Sequence, residues 1–152
     1  MQVQIKRATF DDVGKVAPLF DQYRVFYRQP SDLQVAANFI GERLQQGSSV
    51  IFLAVAENDQ AVGFTQLFPT FSSITAKPCW TLADLYVVPQ ARRANVAKML
   101  MNTAKAFAVE TGAQSLALET AVDNIPAQML YQSLGYQREQ DYYTYFLNLE
   151  VK

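Results

Sequence analysis

The chain has 152 residues, half of them apolar, with 13 Lys plus Arg against 14 Asp plus Glu and a formal net charge of −1. That is enough apolar material for one self-supporting core, and near-neutrality excludes the strongly basic face that a nucleic-acid partner needs. With no histidine and the single cysteine Cys79, a disulfide framework, a His-based metal site and a His-containing triad are excluded too, so no metal is expected. The start MQVQIKRATF lacks the apolar core of a signal peptide, and no stretch reads as a membrane span. A cytoplasmic location with no membrane partner is therefore expected. Cys79, beside Trp80 in an apolar run, reads as a small buried hydrophobe.

The elements follow from periodicity and punctuation. Val3, Ile5 and Arg7 alternate with Gln4 and Lys6 as a first strand, and Thr9 with Asp12 is a capping-box pattern that opens a helix carrying Val13, Val16, Ala17 and Phe20 inward. Pro30 breaks that helix. Ser31 with Gln34 reads as a second capping box, leading through Val35, Phe39, Ile40 and Leu44 to a stop at Gly47. The β-branched run Ser49 to Ala56, the turn Asn58-Asp59-Gln60 and Ala61 to Phe68 predict a hairpin, and Trp80 to Val88 predicts a third strand ending at Pro89. Val96, Leu100, Thr103 and Phe107 have helical period up to Gly112. Ser115 to Val122 is a further strand, a short helix with Pro126 in its first turn ends at Gly135, and Tyr136 to Leu149 predicts two closing aromatic strands. The order βααβββαβαββ implies one domain over residues 1–152, a mixed, mainly antiparallel sheet with helices on both faces.

Two stretches are candidates for chemistry. LADLYVVPQARRANVAKML, from Leu82 to Leu100, runs strand, basic small-residue loop, helix, an arrangement that presents backbone N–H groups and a helix dipole to an anion. On residues alone an ordinary connection with Arg92 and Arg93 in solvent is the better reading, because basic loops are common. NIPAQMLYQSLGY, from Asn124 to Tyr136, sets Ala127, Leu130 and Tyr131 on one helical face, where a tyrosine is usually core.

Together the two stretches resemble the GNAT superfamily of N-acetyltransferases. Arg92-Arg93-Ala94-Asn95-Val96-Ala97 after Val87-Val88-Pro89 is similar to the family's cofactor motif, with Asn95 where Gly is preferred; Asn tolerates left-handed backbone and keeps its N–H. Asn124, Ala127, Leu130-Tyr131 and Gly135-Tyr136 match the family's later motif. The resemblance implies acetyl-CoA as cofactor and coenzyme A as product. It implies that Leu85, Tyr86 and Val87 pair with the pantetheine arm, that Arg92 to Ala97 hold the pyrophosphate, and that Asn124, Ala127 and Leu130 belong to the same cofactor side. An amine, small-molecule or peptide, would attack the thioester directly, with Tyr131 as the acid for the departing thiolate. A non-catalytic acyl-CoA-binding module of the same fold is the competing reading.

Direct transfer needs a neutral amine, and in a His-free protein a carboxylate is the plausible proton acceptor besides Tyr. Asp84, one residue from the expected acetyl site, is the first candidate base and Glu119 a weaker one; Asp84 could equally serve to bind backbone or pair with an Arg. Polyamine acetyltransferases often carry Glu just before that Asp, where this chain has Ala83. Tyr23, Phe26 and Tyr27 lie at i, i+3, i+4 and form either core or the acceptor-binding wall. Tyr142, Tyr143 and Tyr145 suit a homodimer edge.

Overall fold

The computed structural model describes residues 1–92 and 94–150 and divides them into two compact units, Met1–Glu119 and Thr120–Lys152. Among the described residues no helix is long and apolar enough to cross a membrane.

The first unit holds strands β1 (Val3–Arg7), β2 (Val50–Ala56), β3 (Ala61–Ser72), β4 (Lys77–Val87) and β5 (Leu116–Ala117), with helices α1 (Val13–Phe26), α2 (Leu33–Gln46) and α3 (Val96–Glu110). The sheet order is β1-β2-β3-β4-β5, antiparallel except for β4 with β5. The predicted mixed, mainly antiparallel α/β class is therefore observed. Alternation along the strands divides the side chains between two helical layers. Ile51, Leu53 and Phe64 are fully buried with Val16, Ala17, Leu19 and Phe20 of α1 and Ala36 and Ile40 of α2. On the opposite face, Phe52 meets Phe107 of α3 edge-on at 5.5 Å.

The local devices are largely those the sequence indicates. The Thr9 amide donates to Asp12 Oδ2 at 2.8 Å, so the Thr9–Asp12 pattern opens a 3-10 turn that runs into α1. Gly47 ends α2 at φ 63°. The cap of α2 differs from expectation: Asp32, not Ser31, accepts from the Val35 amide at 3.1 Å. Ser31 is committed elsewhere, its hydroxyl donating to Asp21 Oδ2 at 2.7 Å while the Asp32 amide donates to Asp21 Oδ1 at 2.7 Å. Those hydrogen bonds, Ser31's first, hold the Asp21 carboxyl below its ordinary range and fix the α1–α2 corner. The buried stripe of α2 is Ala36 and Ile40, whereas Val35 and Phe39 are exposed.

In the second unit α4 (Ile125–Ser133) forms with Pro126 in its first turn, and Gly135 takes φ 93° behind it. Two strand predictions fail. Ser115–Val122 reduces to the two residues of β5, and the closing strands over Tyr136–Leu149 are not formed: residues 137–150 have no ladder partner among the described residues. Aromatic content favours a pleated surface only where another strand supplies backbone partners and cover; Tyr143 and Tyr145 are instead each 91% exposed.

Gly63 of β3 sets how close β4 and α3 can lie. A Cβ there would meet the Tyr86 carbonyl at 3.0 Å, Val87 Cγ2 at 3.3 Å and Leu100 Cδ1 at 3.4 Å. We expect Gly63→Ala to lower stability by about 1–3 kcal/mol, the usual cost of overpacking, as read by urea denaturation.

Candidate active site

The site begins with a bulge. Gln66 of β3 pairs with Asp84, yet the next residue, Leu67, pairs with Leu82, so Ala83 is a surplus residue in β4. Its carbonyl leaves the ladder and accepts from the Tyr23 hydroxyl at 3.2 Å. Beyond the bulge, Phe64 pairs with Tyr86 and Gly63 with Val87, and the Val88 amide donates to the Val62 carbonyl at 2.9 Å. Strand alternation then turns the Asp84 and Tyr86 amides toward β3 and the Leu85 and Val87 amides away from it.

That second edge is open. The ladder with β5 covers only Trp80 and Thr81, so in the first unit Leu82–Val87 pair with β3 alone. An extended, amide-bearing ligand can add there as a strand, and of the three expected arm-binding residues Leu85 and Val87 face it while Tyr86 spends its amide on β3. The Tyr86 hydroxyl donates to Gln22 Oε1 at 3.1 Å. The outward Val87 carbonyl accepts from Arg92 Nε at 3.0 Å, and the Arg92 guanidinium lies 5.8 Å from the Tyr86 ring centroid. Arg92 is thus tied to the end of β4 while its remaining donors point from an exposed loop.

After Arg92 the chain enters α3 through Asn95 at φ 61°, ψ 19°, the left-handed conformation expected of the residue at that motif position. Ala91 and Val96, both 1% exposed, anchor the loop at either end. Asn95 makes no side-chain cap and the first turn has no acidic residue, so the opening N–H groups and the positive end of the dipole are left for an external anion. Ala94 and Ala97 present little bulk there. Arg93 lies outside the described residues. An open strand edge running into an uncapped helix N-terminus fits a pantetheine arm followed by a pyrophosphate.

Asp84 is 9% exposed, and its carboxylate accepts from Gln66 Nε2. Gln66, wholly buried, accepts in turn from Ser49 Oγ at 2.7 Å. The Tyr23 hydroxyl is the other hydrogen-bonding group on the Asp84 carboxyl. Burial pushes the Asp84 pKa above the ordinary carboxylate range, and the hydrogen bonds from Gln66 and Tyr23 oppose that shift without cancelling it. A buried acid with a raised pKa beside an open strand edge is a stronger proton acceptor than an ordinary surface carboxylate. Glu119 is exposed beyond the end of β5. Gln66 and Ser49 were not singled out by motif; the readable signal was a glutamine in an apolar strand, AVGFTQLF.

Of the aromatic trio on α1, Tyr23 is half-buried and packs on the core, 6.0 Å from the Phe64 ring. Phe26 and Tyr27 are 57% and 46% exposed, with Tyr27 edge-on to Tyr23 at 5.0 Å. In the second unit Asn124, Ala127, Leu130 and Tyr131 are half-buried. Asn124 Oδ1 caps α4 by accepting from the Ala127 amide at 3.3 Å, and the Tyr131 ring lies 6.2 Å from that of Tyr136.

The sequence profile of the Acetyltransferase (GNAT) family matches residues 16–136. The uncharacterized N-acetyltransferase YhfO of Bacillus subtilis (strain 168) is 44% identical over 150 residues, 99% of this chain and 100% of that one. A probable acetyltransferase of Haemophilus influenzae is 35% identical over 110 residues, 72% of this chain and 75% of that protein. Among solved structures, the crystal structure of a probable acetyltransferase matches with a TM-score of 0.92 and 40% identity, covering 98% of this chain and 99% of that one.

Two expectations follow. The folded state holds the Asp84 proton over a pH range in which the unfolded chain has lost it, so this group's effect on stability worsens as pH rises above the ordinary carboxylate value of about 4. Asp84→Asn should therefore be more stable than wild type at pH 7.5, with the advantage vanishing as pH falls toward 4, as urea denaturation at both pH values would record. Asn95→Gly should hold or raise the melting temperature, whereas Asn95→Ala should cost about 1 kcal/mol, because alanine bears the left-handed penalty without asparagine's tolerance of it.

Proposed function

Since this chain belongs to the Acetyltransferase (GNAT) family and is an acetyl-CoA-dependent acetyltransferase, we propose that it moves the acetyl group directly to a primary amine in a ternary complex. The observation that carries this reading is the open β4 edge at Leu85 and Val87, with Asp84 buried between their positions and the α1 layer. Relatives named for their acceptors support an amine: they include an aminoglycoside N(6')-acetyltransferase and an N-alpha-acetyltransferase. We read both compact units as one catalytic domain, because the profile match runs across their boundary at Glu119.

Bound acetyl-CoA would supply a thioester that an amine can attack without a covalent enzyme intermediate. The chain's residues do the rest. Leu85 and Val87 hold the arm through backbone hydrogen bonds, and Arg92, Ala94, Asn95, Val96 and Ala97, together with Arg93 by motif, receive the pyrophosphate. Asn124, Ala127 and Leu130 shape the cofactor side of α4. Asp84 takes a proton from the ammonium form of the acceptor, and Tyr131, assigned by its motif, protonates the departing sulfur. Tyr23 orders Asp84 while Phe26 and Tyr27 offer an aromatic surface to an alkyl or aryl amine. A cytoplasmic location and a homodimer edge at Tyr142, Tyr143 and Tyr145 belong to the same proposal.

A panel of amines with acetyl-CoA, read by thiol release and product mass, tests the reading: acetylated product is expected, and absence of turnover across alkyl, aryl, aminoglycoside and peptide amines overturns it. In the active pair, Tyr131→Phe should retain cofactor affinity and melting temperature but lose ~10²-fold in turnover, the usual contribution of a positioned acid. Full activity in that variant removes Tyr131 from the mechanism.

A further inference from the structure

The buried chain of side chains behind Asp84 has a direction. Ser49 stands one residue before β2 and is 5% exposed; its hydroxyl donates to Gln66 Oε1 at 2.7 Å. An amide whose oxygen is taken by a donor must present its NH₂ on the other side, and there Gln66 Nε2 meets Asp84 Oδ2. With Asp84 ionised, a reversed amide would set its oxygen against a carboxylate oxygen, two acceptors with no proton between them, inside a core where Gln66 is wholly buried. The ionised carboxylate selects this orientation, and Ser49, able to donate or accept, satisfies the amide oxygen that the orientation turns toward it.

We propose that Ser49, a residue that does not touch the reacting groups, is a positioning residue that holds the buried Gln66 amide against Asp84 and thereby tunes the pH at which Asp84 takes up a proton. The inference rests on the reading of Asp84 as proton acceptor. The groups facing Asp84 are Gln66 from β3, Tyr23 from α1 and, one pleat along its own strand, Tyr86; no charged side chain is among the causes of its shift. In such surroundings the donated hydrogen bonds are what favour the carboxylate against burial. Gln66 supplies one of them, and Ser49 holds it in place.

The test is to follow the Asp84 side-chain carbon by NMR through a pH titration of the cofactor-free protein, in wild type, Ser49→Ala, Ser49→Thr and Gln66→Met. Ser49→Ala should raise the Asp84 midpoint by about one pH unit, the scale of one weakened charge-assisted hydrogen bond. Ser49→Thr, which keeps the hydroxyl, should restore the wild-type midpoint, and Gln66→Met should move it at least as far as Ser49→Ala. An unchanged midpoint in Ser49→Ala overturns the proposal; if that variant fails to fold, an unchanged midpoint in Gln66→Met does so. The acidic limb of the kcat/KM profile should shift with the midpoint. The underlying reading fails separately: if Asp84→Asn keeps the wild-type acidic limb, Asp84 is not the base, whatever Ser49 does to its titration.

Discussion

The surplus residue Ala83 is the constraint from which the site follows. A regular strand alternates its faces, so a residue inserted on one side of a ladder breaks the alternation there and shifts the phase of everything beyond it. Here Leu82 keeps its pairing with Leu67, while Asp84 pairs with Gln66 and, with Tyr86, is turned toward the α1 layer. The bulge releases the Ala83 carbonyl as well, and the Tyr23 hydroxyl takes it. One residue thus delivers an acid into the interior, fixes the aromatic ring beside it and turns the Leu85 and Val87 amides to the edge that, among the described residues of the first unit, has no strand partner.

Burying that acid has a cost, and the chain limits it with hydrogen bonds in place of a counter-ion. An arginine beside Asp84 would hold it ionised and useless as a proton acceptor near neutrality, whereas a wholly apolar pocket would keep it protonated. Gln66 and Tyr23 give an intermediate environment, polar but uncharged, in which the carboxyl stays above its usual range. Asp84 itself is a stability liability above the ordinary carboxylate range, as is common where a protein buries a titratable group for chemistry.

The proposed cofactor side offers backbone more than side chains. The β4 edge, the left-handed Asn95 and the uncapped start of α3 present N–H groups whose directions are fixed by the fold, so little ordering remains for a ligand to impose. Arg92 joins the two parts, with Nε on the Val87 carbonyl at the end of the strand and its guanidinium beside the loop that leads to the helix.

Local signals account for what could be read without coordinates. The Thr9–Asp12 box, the stops at Gly47, Gly112 and Gly135, the α3 periodicity and the strand-loop-helix from Leu82 to Leu100 are all short-range patterns, and each is present. Asn95 was legible because it stands where the family motif prefers Gly and asparagine tolerates a left-handed backbone, and Asp84 was singled out by its place one residue from the expected acetyl site. Strand pairing is a different matter, since it depends on partners distant in sequence. Tyr136–Leu149 has the composition of strands and forms none, and the surplus of one residue at Ala83 cannot be seen until β3 is laid beside β4. Nor could Ser49, Gln66, Asp84 and Tyr23 be joined in advance, because 17 and 18 residues separate the first two links. The sequence by itself determined the fold class, through local periodicity and backbone preference, and the family, through two short motifs. Only the tertiary structure decided which amides face the open edge and which polar groups surround Asp84, because both follow from the register between strands.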